Sequence, residues 1–174
     1  LNCIIRDNFA RNGAGVFGSG LTIKYCTISD NSATNFNSGH RGAGIYFSSG
    51  TNEIISTIIQ NNNANGGNGS CAGGGIYVYS GSTIIDSSYI IGNSIHDNSG
   101  GHQTHGGGIK IVDGNLTITH TLIANNSSNV KGGGISLDAR HEGYGDIMTH
   151  ITNCTIVNNT SSENTGDDIY IASV

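Results

Sequence analysis

Charge is scarce in this 174-residue sequence: 11% of the residues are Asp, Glu, Lys or Arg, and the net charge is −5 with histidine neutral. No basic run interrupts that balance, so nucleic acid is excluded as the expected main partner. Long apolar runs are lacking as well. None approaches the roughly 18 consecutive residues that a membrane-crossing helix needs, and no membrane span is expected. An initiator methionine and a signal peptide are absent, and the chain opens inside a repeated motif at Leu1-Asn2-Cys3, which reads as a mature subunit or a fragment. Proline and tryptophan are missing altogether, while Gly (28 residues), Asn, Ser and Thr abound. Such a composition suggests disorder when nothing in it recurs.

Here a great deal recurs. Gly106-Gly107-Gly108-Ile109-Lys110-Ile111 has close copies at Gly73-Gly74-Gly75-Ile76-Tyr77-Val78 and Gly132-Gly133-Gly134-Ile135-Ser136-Leu137. Earlier variants begin at Gly13-Ala14-Gly15-Val16 and Gly42-Ala43-Gly44-Ile45, and the last has become Gly166-Asp167-Asp168-Ile169. A glycine run leading into a short apolar strand marks a tight turn with neighbouring backbone too near for a Cβ. An independent motif confirms the period: a small residue, an aliphatic two later, and an asparagine three after that. The asparagines are Asn8, Asn31, Asn62, Asn93, Asn126 and Asn159, spaced 23, 31, 31, 33 and 33 residues apart. The aliphatics are Ile5, Ile28, Ile59, Ile90, Ile123 and Ile156, and a further apolar column is Ile23, Ile54, Ile85, Ile118 and Ile151.

A period of about 30 residues built from such short pieces leaves no room for helices and predicts a solenoid of strands. The expected fold is all-β, a right-handed single-stranded parallel β-helix of about five to six coils with three short strands each, spanning 1–174 as one domain. Coils would stack at roughly 4.8 Å, so that like residues lie on like. Ile28, Ile59, Ile90, Ile123 and Ile156 then form an interior aliphatic ladder, and the asparagines form an amide ladder at a corner. Alternation sends Ile109 and Ile111 inward and Lys110 outward, with Tyr77 outward likewise; an acidic residue at 110 is expected to be tolerated. Segments 32–41, 63–72, 94–105 and 138–146 are expected as protruding loops, on which solenoids carry their binding surfaces.

Four cysteines carry little information on redox compartment. Cys3, Cys26 and Cys154 share the small-residue column with Thr57, Ser88 and Thr121, and read as small packers. Cys3 and Cys26, on adjacent coils, would be too far apart for a relaxed disulfide.

The pairing of a Gly-Gly-(Gly/Ala)-Ile element with an aliphatic-x-x-Asn element resembles the repeats of polymorphic outer-membrane-type surface proteins. More broadly it is similar to right-handed parallel β-helix proteins of bacterial surfaces. The resemblance extends over essentially the whole chain and implies an extracellular or cell-surface location. That fold serves adhesins, sheath proteins, tailspikes and polysaccharide enzymes alike. Neither an autotransporter barrel nor a capping helix is legible in the sequence.

Catalytic residues are sought against the enzymes of this fold. Pectinase-like hydrolases combine clustered aspartates with Gly-His-Gly and Arg-x-Lys; here Asp167-Asp168 sits in the last coil, Gly39-His40-Arg41 comes far before it, and Arg-x-Lys is absent. Asp167 and Asp168 read instead as polar replacements in a terminal glycine run. The alternative, lyase-like set is Asp113, Asp138 and Arg140, in which Asp113 and Asp138 follow equivalent strand ends and would stack on adjacent coils. With Glu142 and Asp146 these carboxylates would suit calcium, or one could act as a base. His40, Cys71, His102 and His105 are the candidate zinc ligands, with His96 crowding the same loop as His102 and His105; His120 and His150 read as surface residues. Otherwise no metal and no cofactor is expected.

The two chain ends complement each other. Val174 joined to Leu1-Asn2-Cys3-Ile4-Ile5 would reproduce the phrase Ile151-Thr152-Asn153-Cys154-Thr155-Ile156, which predicts end-to-end self-association into a filament or sheath. The functional expectation is a noncatalytic extracellular structural or adhesive protein, with a carbohydrate or host-surface ligand. The alternative is a carbohydrate-binding or polysaccharide-cleaving β-helix.

Overall fold

A computed structural model describes residues 2–34, 39–66, 71–97, 105–138, 148–163 and 166–172, and among them there is no helix. Every strand pairs in parallel with its counterpart one coil away. This is a parallel β-helix, and its course matches the right-handed form that parallel crossovers favour.

Each coil passes through four sheets, one more than expected. Sheet I holds Ile4–Arg6, Thr27–Ser29, Ile58–Gln60, Tyr89–Ile91, Leu122–Ala124 and Thr155–Val157. Sheet II holds Phe9–Ala10, Ser32–Thr34, Asn63–Asn65, Ser94–His96, Ser127–Ser128 and Thr160–Ser161. Sheet III contains the strands that leave the glycine runs: Val16–Gly18, Ile45–Phe47, Ile76–Val78, Ile109–Ile111, Ile135–Asp138 and Ile169–Ala172. Sheet IV returns through Thr22–Lys24, Thr51–Ile55, Ser82–Asp86, Asn115–Thr119 and Thr149–Thr152. Six levels of strand result, and the first and last lie at the ends. About four turns are therefore enclosed on both sides, somewhat fewer than the five to six expected.

Sheet II is the correction to the three-strand reading. Residues 32–34, 63–65 and 94–96, expected in loops, are paired strands, as are His40–Arg41 with Cys71–Ala72. Asp138 likewise ends a strand of sheet III rather than opening a loop. The remainder of those segments, 35–38, 67–70, 98–104 and 139–147, lies outside the described residues.

The interior is built from stacked columns. Ile5 pairs with Ile28, then Ile59, Ile90, Ile123 and Ile156 in unbroken register. Ile23, Ile54, Ile85, Ile118 and Ile151 form a second column, and both join one core with Ile45, Ile76, Ile109 and Ile135 of sheet III. No single coil encloses this apolar surface alone, so burial depends on the neighbouring coil.

Each corner combines a left-handed residue with a side-chain ladder. At the first, Asp7, Asp30, Asn61, Gly92, Asn125 and Asn158 have positive φ, a conformation that Gly, Asn and Asp tolerate best. The residue that follows each is a ladder asparagine. Asn8 Nδ2 donates to Asn31 Oδ1, and the pattern continues through Asn62, Asn93, Asn126 and Asn159 at 2.9–3.0 Å. The same oxygens accept the backbone N–H of the preceding asparagine. From Asn31 onward the second amide hydrogen goes to the carbonyl of an interior isoleucine, such as Ile59 for Asn93. Buried amides with every hydrogen-bonding group used stabilise a corner; left unused they would destabilise it.

The small-residue column forms a second, hydroxyl ladder. Thr57, Ser88 and Thr121 each donate to the carbonyl two residues back. Their oxygens accept the N–H of the preceding coil's column residue, Cys26, Thr57 and Ser88 in turn. Cys26 and Cys154 occupy the same column and donate their thiols in the same way. The four cysteines are all free.

The glycine requirement is clearest at Gly75. A Cβ there would stand 2.6 Å from the Gly108 carbonyl oxygen and 3.0 Å from Asn93 Cγ. The third position of the first five runs is glycine because the next coil's run carbonyl and its ladder asparagine together fill the space.

Candidate functional site

Among the described residues, a set of ionisable groups gathers on the outer face of sheet III, where alternation places Phe17, Tyr46, Tyr77, Lys110, Ser136 and Tyr170 in one row. Lys110 and Tyr77 do face outward, but neither is open to solvent: their exposures are 0% and 1%. The expectation that position 110 tolerates an acid is corrected accordingly. Lys110 Nζ donates to Ser136 Oγ at 3.0 Å and Asp138 Oδ2 at 3.2 Å, and lies 3.3 Å from His105 Nδ1. A buried ammonium is tolerable only when paired and hydrogen-bonded in this way. The Nδ1 contact requires the histidine tautomer that carries its proton on Nε2.

Aromatic rings continue the row on both sides. Phe17, Tyr46 and Tyr77 stack at 5.0 Å between successive centroids, and the Arg41 guanidinium lies 5.6 Å from the Tyr77 ring. Burial pushes the Tyr46 hydroxyl above its usual pKa, against the opposing pull of Arg41. On the far side His105 tilts over Tyr170 at 5.2 Å, and Lys131 Nζ is 5.2 Å from the same ring. Lys110 is thus an electrostatic clamp that joins its own coil to the next.

The lyase-like set does not assemble as expected. Ile111 pairs with Leu137, so the residue beside Asp138 is Val112, while Asp113 is one position further along its chain. Asp113 and Asp138 therefore do not share a column, and the Asp138 carboxylate is engaged by Lys110. Arg140, Glu142 and Asp146 lie outside the described residues.

Of the candidate zinc ligands, His40 and Cys71 are direct cross-strand neighbours. His105 belongs to the next column, opposite Lys131, and points to Lys110. His102 lies outside the described residues. His40 Nδ1 is 3.3 Å from the Arg11 carbonyl oxygen. Burial first, then the nearby Asp97 carboxylate, push the Cys71 thiol up to about 12, against the thiolate that zinc takes as ligand. Among the described residues no three His, Cys, Asp or Glu side chains converge on a metal position.

One constellation escaped the sequence reading. Asp86 Oδ1 accepts the Thr119 hydroxyl at 2.6 Å and lies 3.1 Å from His120 Nδ1. Those hydrogen bonds, Thr119 first, hold its carboxyl below the ordinary range. His120 Nε2 is 3.3 Å from Asn153 Nδ2. Ser87, the adjacent hydroxyl, donates to Asp86 and not to the histidine. Asp86 orients the imidazole as in a catalytic dyad, and among the described residues the group that Nε2 meets is the Asn153 amide rather than a nucleophile. Register supplied the missing signal, since Asp86 and Thr119 are in one column.

Sheet II presents an open groove of about 470 Å³ lined by Asn63, Asn65, Ser94, Ile95, His96 and Asn129 with further serines and threonines. Its lining mixes polar and apolar surface and carries no fixed charge. At the last coil Asp168 Oδ1 accepts Asn159 Nδ2 at 2.8 Å, and Asp167 Oδ1 accepts the Ser161 N–H and hydroxyl, both at 2.7 Å. No helix among the described residues is long and apolar enough to cross a membrane. No protein-family model, curated protein or solved structure matches the chain.

Proposed function

We propose that this chain is a noncatalytic structural or adhesive β-helix of the extracellular space or cell surface, with repeats of the polymorphic outer-membrane type. The observation that carries the reading is how its strongest polar groups are used. Lys110, Asp138 and Ser136 bind one another across two coils. The ladder asparagines are consumed by the neighbouring coil, and Asp86 and His120 face an amide rather than a nucleophile. Groups committed to holding coils together are poorly placed to transfer protons to a substrate. The Gly-Gly-(Gly/Ala)-Ile and aliphatic-x-x-Asn repeats support the surface assignment by their likeness to proteins that display loops on such a scaffold. The open groove of sheet II, which carries no fixed charge and offers both polar and apolar surface, suits a carbohydrate or host-surface ligand.

The test is turnover. Incubation with a panel of neutral and anionic polysaccharides, with and without calcium, is expected to release neither unsaturated nor new reducing ends. Release of either by the purified chain would overturn the noncatalytic reading. Loss of that activity in Asp138→Asn would then move the assignment to the polysaccharide-cleaving alternative.

A further inference from the structure

The two aspartates of the last glycine run occupy positions that every earlier coil keeps small. Ile135 N–H donates to the Asp168 carbonyl at 2.8 Å and Gly134 N–H to that of Asp167 at 2.9 Å. Asp167 and Asp168 therefore continue the columns of Gly133 and Gly134. The corresponding pairs are Ala14-Gly15, Ala43-Gly44, Gly74-Gly75 and Gly107-Gly108. We infer that Asp167 and Asp168 are a built stop, which closes this end of the solenoid against any further coil, including the first coil of a second copy.

A Cβ on Gly108 would stand 2.6 Å from the Gly134 carbonyl oxygen and 3.0 Å from Asn126 Cγ, and one on Gly134 would meet the Asp168 carbonyl oxygen first and stand 3.0 Å from Asn159 Cγ. In each case the obstacle is the following coil, its glycine-run carbonyl first and its ladder asparagine beside it. Position 168 carries a side chain, and that side chain stands where a seventh asparagine would. Its Oδ1 accepts the Asn159 amide at 2.8 Å and the Asn159 N–H at 3.3 Å. These are the two hydrogen bonds that each inner ladder oxygen receives from the coil before it. Asp168 is chemically the last rung.

Asp167 does the same for sheet II. A Cβ on Gly107 would be 2.3 Å from the Ser127 carbonyl oxygen, and one on Gly133 equally close to that of Thr160. The second glycine thus lies against the sheet II strand of the following coil. At position 167 the carboxylate takes that room and accepts the Ser161 N–H and hydroxyl. In a parallel ladder that N–H would otherwise turn toward a following strand.

An incoming coil would have to place an asparagine where Asp168 already sits, and a strand where Asp167 sits. In the end-to-end contact suggested by the two chain ends, the arriving residue is Asn8 of the second copy. The two carboxylates oppose that contact, whether or not the scaffold is catalytic.

Sedimentation velocity on the wild-type chain and on the double variant Asp167→Gly/Asp168→Gly tests the stop. The wild type is expected to remain monomeric at all concentrations. The double variant, folded by circular dichroism, is expected to form an open end-to-end series whose mass rises with concentration. Wild-type end-to-end assembly overturns the inference, and so does a double variant that is folded yet monomeric. Should the double variant fail to fold, single variants decide. The cap requires Asp168→Ala to lower the melting temperature by a few degrees while Asp168→Asn, which keeps the accepting oxygen, melts close to wild type. An Asp168→Ala variant that melts with wild type overturns it.

Discussion

Asn126 gives both its backbone N–H and one side-chain hydrogen to a single atom, Asn159 Oδ1, at 3.0 and 2.9 Å. Asn126 Oδ1 in turn receives the same two hydrogens from Asn93. Replacement by alanine therefore leaves the two Asn93 donors without their acceptor and takes one donor each from the Ile90 carbonyl and from Asn159 Oδ1, which keeps the Asn126 backbone N–H. Unsatisfied buried groups are destabilising by about 1–3 kcal/mol each, partly relieved by relaxation. Asn126→Ala is expected to lower unfolding free energy by about 3 kcal/mol in denaturant titrations. Asn8→Ala, in an exposed end coil, should lose markedly less; equal losses would show that the ladder is not the source.

Lys110 provides a second measurement. Lys110→Asp places a carboxylate beside Asp138 with no cation between them, and a loss of about 3 kcal/mol or more is expected for breaking a buried pair. Lys110→Met keeps much of the volume and removes the charge, so its loss should be smaller. Thermal melting of the two variants against wild type reads the difference. Equal melting would mean that the Asp138 contact contributes nothing.

Thiol reactivity separates the cysteines. Cys3 is exposed, while Cys26 and Cys71 are buried. Iodoacetamide at neutral pH, read by peptide mass spectrometry, should modify Cys3 in the folded chain and Cys71 only after denaturation. Because the folded-state value of Cys71 is raised to about 12, its contribution favours folding fully below the ordinary thiol range. That contribution fades as pH rises from there toward 12. Rapid native labelling of Cys71 near pH 7 would contradict its burial.

Acid should weaken the fold through Asp86. Its folded-state value is lowered by Thr119 and then His120, so its contribution is present above the ordinary carboxylate range and is lost as pH falls through the lowered value. Asp86→Asn should flatten the acid limb of a melting-temperature profile without moving the neutral plateau much. An unchanged acid limb would remove Asp86 from the account.

How far the fold can be read in advance depends on whether a column repeats a distinctive residue. Ile28 to Ile156 and Asn31 to Asn159 are legible because stacking puts chemically identical side chains on one another. Sheet II was hidden because its inward column, Ala33, Ala64, Ile95 and Ser128, holds a single large aliphatic and leaves no apolar period. The burial of Lys110 and Tyr77 was hidden for a different reason. Alternation tells which side of a strand a residue faces, and not whether that side is covered. The displacement of Asp113 from Asp138 is legible once Ile111 is set against Leu137, because Asp113 follows its strand residue by two positions and Asp138 by one.

The inter-coil hydrogen bonds run along the solenoid axis, perpendicular to the strands, and the two chain ends lie at opposite ends of that axis. Tension applied through the ends would not shear many bonds together. It would detach the terminal coil first, and then the coil beneath it. From Asn31 onward successive coils are 31 to 33 residues apart, against 23 for the first interval, so each of these detachments frees on the order of 100 Å of extended chain at roughly 3.3 Å per residue. Between anchored points the molecule would behave as a reel, lengthening in near-equal steps at low force.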